Sequence, residues 1–112
     1  MEAFEEIALR NFEEWMVIHL NMFFPNQCEA LGDSDVREAI QYGIEQAESY
    51  DIVTECDVCK YIDLMFALGR DFDTDPELPW ALEILYDETL EDGSERIDRL
   101  CRAAITYLDR QG

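Results

Sequence analysis

Three groups of residues in this chain have types and spacing that chemistry uses. The first is Cys56-Asp57-Val58-Cys59. Two thiols separated by two residues form half of a tetrahedral zinc site, or a redox dithiol. Placement at a helix start would lower the Cys56 thiol pKa, while the flanking Glu55 and Asp57 disfavour a thiolate. No second pair of this kind follows. Cys28 and Cys101 are isolated, and Cys101 falls on an apolar stripe, where a thiol serves as a small apolar side chain. A thioredoxin-like site would also need a βαβ context, and the pattern contains none.

The second group is Asp71-Phe72-Asp73-Thr74-Asp75. Alternating carboxylates open an EF-hand calcium loop. That pattern then needs Gly at its sixth position and a bidentate Glu at its twelfth, and the chain has Pro76 and Leu82 there. The plainer reading is an acidic connection between helices, its Asp side chains capping turns, with Phe72 packed inward between two exposed carboxylates. The third group is His19, the sole histidine, on the apolar face of the first helix. In that setting a histidine is a packed, hydrogen-bonded core residue more often than a general base. No Ser–His–Asp or Cys–His spacing, Gly-rich phosphate loop or HExxH accompanies it. The residues thus assign no catalytic group, no metal and no cofactor, and the expectation is a protein that is not an enzyme.

The elements that position these residues are helical throughout. Phe4, Ala8, Phe12, Trp15, His19 and Met22 recur on one helical face from Glu2 to Phe23, widened by Ile7, Met16 and Leu20. This helix carries more apolar residues than one core face needs. Either some remain exposed as a patch rimmed by Glu, or the stripe packs against two neighbours. Asn26 to Leu31 read as one helical turn closed by Gly32. A second helix starts near Asp33-Ser34, either of which can cap it, and buries Val36, Ala39, Ile40, Ile44 and Ala47. Gly43 inside it is a mark of close helix approach, at a cost of about 1 kcal/mol relative to Ala. Thr54 and Asp57 resemble a capping box for a central third helix with Val58, Tyr61, Ile62, Met65 and Leu68, stopped by Gly69. Pro76 or Pro79 opens a fourth helix with Trp80, Ile84 and Leu85, ending near Asp92-Gly93. The fifth, Ser94 to Arg110, carries Ile97, Leu100, Cys101, Ala104 and Leu108. The expected fold is all-α: one acidic domain over residues 1–112, a bundle of about five helices.

Charge narrows the partners. The 112 residues include 27 acids against 8 Lys and Arg, a net charge of −19, and the last helix from Ser94 is near neutral, so the acidity belongs to the rest. Such a field repels nucleic acid and anionic membrane surfaces and favours a basic protein surface. The acidic start Met1-Glu2-Ala3-Phe4-Glu5-Glu6 lacks the basic character of a signal peptide. No apolar run reaches the roughly 20 residues that span a bilayer. The expected location is therefore cytoplasmic, with reduced thiols.

A resemblance adds to this. Tyr42-Gly43-Ile44-Glu45-Gln46-Ala47, Tyr50-Asp51-Ile52, Asp57 to Phe66, Gly69-Arg70-Asp71-Phe72-Asp73 and Leu78-Pro79-Trp80-Ala81 resemble a family of small bacterial proteins. They are encoded in type VI secretion effector clusters, beside a spike protein and an effector-loading chaperone. The likeness runs from about Phe12 to Ile84. It implies a non-catalytic accessory role, as a co-chaperone or adaptor that binds a secretion chaperone, an effector or both. It implies no individual functional residues. Asp71, Phe72, Asp73 and Trp80 are the candidate partner-binding residues, because their loop is both distinctive and acidic. Charge and periodicity fit an immunity protein against a basic toxin equally well. A DNA mimic and a metalloprotein built on Cys56 and Cys59 are further alternatives.

Overall fold

The computed structural model describes the backbone of residues 6–111 and the side chains of 11–110. Six helices follow in order: α1 (Glu6–Phe23), α2 (Pro25–Leu31), α3 (Asp33–Ser49), α4 (Glu55–Leu68), α5 (Pro79–Leu85) and α6 (Gly93–Gln111). A 3₁₀ turn, Phe72–Thr74, lies between α4 and α5, and no strand occurs among the described residues. The fold is all-α. No helix among the described residues is long and apolar enough to cross a membrane.

The sixth helix is α2. Pro25 sits at its first turn, where a missing N–H costs nothing, and the segment closes when the Gly32 N–H bonds the Cys28 carbonyl. The expected cap of α3 is different in fact. Gly32 holds the N-cap position without a side-chain bond, and Asp33 lies inside the helix, where it accepts from Arg37 Nε at 2.9 Å. The cap of α4 is as expected: Thr54 Oγ1 accepts from the Asp57 backbone N–H at 3.3 Å. Gly69 then ends α4 at φ 124, a conformation that only glycine adopts without strain. Pro79, not Pro76, opens α5, which stops at Leu85 rather than near Asp92. The chain from Tyr86 to Asp92 runs as turns pinned by the buried Leu90.

The buried line of α1 is rotated from the expected stripe. Phe12, Met16 and Leu20 are buried, whereas Trp15, Ile18, Met22 and Phe23 are exposed. Contacts with α3 flank the buried line. Arg37 of α3 donates to Glu14 at 2.7 Å and Gln41 donates to Glu13 at 3.3 Å, so that side of α1 faces α3. The expected stripe positions Phe4, Ile7 and Ala8, and the start at Glu2, lie outside the described side chains.

Helix α4 is the centre. It touches α1, α3, α6 and the 3₁₀ turn. Val58, Tyr61 and Ile62 are fully buried. Burying each such side chain contributes about 1.5–3 kcal/mol. Gly43 lets α3 approach: a Cβ there would lie 2.6 Å from Ile62 Cγ1 and 2.9 Å from Met65 Sδ. At the other end, Gly93 packs on the α3–α4 turn, where a Cβ would meet the Asp51 carbonyl oxygen at 2.1 Å. Gly43 makes room for side chains of α4, whereas Gly93 is a place where two backbones meet.

These contacts order two substitutions. Gly43→Ala gains about 1 kcal/mol of helix propensity but overpacks a buried contact, for a net loss of about 1–2 kcal/mol. Gly93→Ala costs more, because the obstacle is backbone that cannot change rotamer. Urea midpoints should fall in that order, and a neutral Gly93→Ala would contradict the packing described.

Candidate functional site

The acidic loop is built into the fold. Phe72 is 1% exposed and its ring meets Tyr61 at 5.2 Å between centroids. Asp73 is also buried, at 3%, and accepts a 2.6 Å hydrogen bond from the Tyr50 hydroxyl. Burial, with this bond next, raises the Tyr50 phenol pKa. Asp71 stays exposed and accepts from the Tyr42 hydroxyl. Asp75 accepts from the Glu77 backbone N–H at 2.9 Å, which caps a turn. The three carboxylates therefore aim at three different partners rather than at one ion. Trp80 is half-buried, packed against Tyr107 of α6 at 5.8 Å. Of the four candidate partner-binding residues, Asp71 offers an exposed side chain, Trp80 a partly exposed one, and Phe72 and Asp73 hold the loop to the core. Only one of the two carboxylates flanking Phe72 is exposed, because Asp73 has a buried hydroxyl to satisfy.

The structure brings a different set together. On α1, positions 15, 19 and 23 are one turn apart, and Trp15, His19 and Phe23 form an aromatic ladder. The His19 ring lies 5.0 Å from Trp15 and 4.8 Å from Phe23. On α4, Cys59 and Asp63 are also one turn apart. Where the helices meet, His19 Nε2 lies 2.9 and 3.0 Å from the two Asp63 carboxylate oxygens. Cys59 Sγ is 3.7 Å from that nitrogen and 3.9 Å from Asp63 Oδ2. All three side chains are half-buried. Burial raises the Asp63 carboxyl above its ordinary range, although His19 acts in the opposite sense. Burial, then the Asp63 charge, pushes the Cys59 thiol up to about 12.

This is not a nucleophilic relay. Such a relay uses both ring nitrogens, one for the nucleophile and one for the orienting carboxylate. Here one nitrogen meets both groups, and the thiol is held protonated, which makes it a poor nucleophile. What the arrangement offers is one nitrogen, one sulfur and one oxygen converging on a point. Beside it, Phe12 and Trp15 of α1 and Glu55, Cys56, Cys59 and Lys60 of α4 line an open cleft of about 600 Å³. Cys56 is exposed at its rim, and all four cysteines are free thiols.

The sequence reading paired Cys59 with Cys56, one turn away on the same helix. The contacts of Cys59 are instead with His19 and Asp63. His19 is packed and hydrogen-bonded, as expected, but at the edge of the core rather than within it. No sequence motif marks Asp63 as a ligand. The i, i+4 spacing of Cys59 and Asp63 was visible, whereas the crossing that delivers His19 from 44 residues away was not. Comparison with protein-family models, curated proteins and solved structures finds no match for the chain.

Two measurements check this geometry. Phe72→Ala should cost about 3–5 kcal/mol of stability and Asp73→Ala about 1–3, the latter by stranding the Tyr50 hydroxyl. Thermal melts that leave both variants as stable as the parent would contradict the buried loop. In native, metal-free protein at about pH 8, iodoacetamide should modify Cys56 first. Cys59, Cys28 and Cys101, whose thiol pKa values burial raises, should react at least about tenfold more slowly. Peptide mass spectrometry reads the order.

Proposed function

We propose that the chain is a non-catalytic accessory protein, a co-chaperone or adaptor for a type VI secretion effector, and that it binds a basic, amphipathic segment of its partner. The observation that carries the binding mode is the outer face of α1. Trp15, Ile18, Met22 and Phe23 are all more than half exposed, and all four lie within nine residues of one helix. A strip of large apolar side chains in water is the mark of a protein contact. Aromatic residues and Met are the types that such contacts favour.

Charge selects the partner. A strip on a chain of net charge −19 is approached fastest by a cationic segment. Apolar residues on that segment then fill the strip, in the helix-in-groove manner. The secretion system itself comes from the resemblance of residues 12–84 to accessory proteins of effector clusters. Strip and charge support protein binding, and they suit an immunity protein as well as an adaptor.

The test uses the double variant Ile18→Ser with Met22→Ser. Both side chains are exposed, so folded stability should change by no more than about 0.5 kcal/mol. Tagged parent protein expressed in the native host should copurify an effector with its loading chaperone, and the double variant should lose them. Recovery should also weaken as salt rises. If expression of the chain alone instead rescues cells from a neighbouring toxin, the immunity reading replaces the adaptor.

A further inference from the structure

We propose that His19, Cys59 and Asp63 form a zinc site that staples α1 to α4, beside the cleft that Cys59 lines. Among the described residues these three offer ligand atoms that all lie within 4.8 Å of one another. Their separations are 2.9, 3.7 and 3.9 Å. A tetrahedral zinc ion with bonds of about 2.0–2.3 Å spaces neighbouring donors by roughly 3.3–3.6 Å. The site reaches that geometry if the His–Asp contact opens and the two sulfur contacts close, each by about 0.4 Å or less. Side-chain rotation supplies such shifts without moving a helix.

The donor set points to zinc. A thiolate and an imidazole exclude the hard cations calcium and magnesium, which take oxygen ligands. Thiolate, imidazole and carboxylate are the three ligand types that zinc takes, and three protein ligands leave a fourth position for water or another group. Charge also balances: the Cys59 thiolate and the Asp63 carboxylate offset the two positive charges of the ion. On binding, the Cys59 thiol proton and the proton between His19 Nε2 and Asp63 leave to solvent, and the ion takes their place.

The site is held in position as a metal site requires. Trp15 and Phe23 flank the His19 ring and fix its plane. Cys59 and Asp63 sit one turn apart on α4, whose inner face is fully buried. Ligands on two packed helices meet the demand for a rigid set. Cys56 is not one of the three converging groups, so a site built on the paired cysteines is a different proposal with a different outcome below.

The test adds zinc, and cobalt as a coloured substitute, to purified metal-free full-length protein. The parent should bind one ion per chain at micromolar zinc. Its cobalt form should show a thiolate-to-cobalt charge-transfer band and the intense visible absorption of a tetrahedral site. Cys59→Ser should abolish the charge-transfer band. Asp63→Ala and His19→Ala should weaken zinc binding by at least about 100-fold, since loss of an outer-shell partner alone costs 10–100-fold. Cys56→Ser should bind as the parent does. Zinc should raise the melting temperature of the parent but not of Asp63→Ala. Failure of the parent to bind a stoichiometric ion would overturn the proposal. So would cobalt bound without the charge-transfer band, a reading that needs no variant to fold. Loss of binding in Cys56→Ser with retention in Cys59→Ser would overturn it in favour of another site.

Discussion

The close approach of α3 to α4 at Gly43 is the constraint on which the rest of this molecule depends. With no side chain at that position, Ile62 and Met65 settle against the α3 backbone. Once α4 is locked there, α6 and the 3₁₀ turn close over its other side. Val58, Tyr61, Ile62, Leu64, Met65 and Phe66 are then all buried. A helix covered on so many sides has one open edge, while Asp57 is buried under a hydrogen bond from Ser94. Cys56, Cys59, Lys60 and Asp63 occupy that edge, which is why the chemistry-bearing residues of α4 gather along a single line. The site is in this sense a remainder: it forms where the core does not need apolar side chains.

Much of this was legible in the sequence, and the parts that were not share a cause. The α4 stripe, its Thr54 start, the Gly69 stop and the close approach at Gly43 all follow from local spacing and backbone chemistry. These signals lie within one element. The buried line of α1 was misplaced by a fraction of a turn, because that helix is apolar nearly all round and Phe12, Trp15 and Met16 compete for the core. The choice between them rests on contacts with other helices, of which the bonds from Gln41 to Glu13 and Arg37 to Glu14 are two. The Asp71-to-Asp75 pattern looked like a ligand loop, yet Asp73 spends its carboxylate on Tyr50, 23 residues away. His19 and Asp63 belong to one site for the same reason. Their pairing depends on a helix crossing, and a crossing leaves no trace in the spacing of a single sequence.

The acidity follows a comparable division. Among the described side chains, the three cations outside α6 bridge elements. Arg37 joins α1 to α3, Lys60 reaches Asp98 on α6 at 3.3 Å, and Arg70 pairs with Glu38 at 2.7 Å while lying over the Tyr42 ring. The Arg37 and Arg70 guanidinium groups hold the Glu14 and Glu38 carboxyls below their ordinary range. All these pairs are exposed, so each adds little to stability. Their effect is on distribution. The positive charge outside α6 is largely consumed in tying helices together, and the surface left over is acid. Outside α6 a basic partner of the kind proposed would meet one sign of charge, which favours fast encounter over precise registration. In the proposed mode, registration then falls to apolar shape, which the exposed side chains of α1 supply.

The strip and the ligand cluster are not independent, because His19 belongs to both. Its ring is the middle rung of the ladder from Trp15 to Phe23 and also the nitrogen that meets Asp63 and Cys59. Trp15 is more exposed than buried, so an occupant of the strip will contact it directly. The indole stacks on the imidazole and the imidazole meets the Asp63 carboxylate, so the strip and the cluster share a contact path. A group that fixes the imidazole fixes the face on which Trp15 rests. Binding free energies must be reciprocal in such a pair. The size of the coupling is bounded by what the stack itself contributes, about 0.5–1.5 kcal/mol, or roughly a two- to tenfold change in affinity at either site. That is too small for a switch and large enough for a bias. If a partner fills the strip as proposed, the cluster beside it biases that binding rather than turning it on or off.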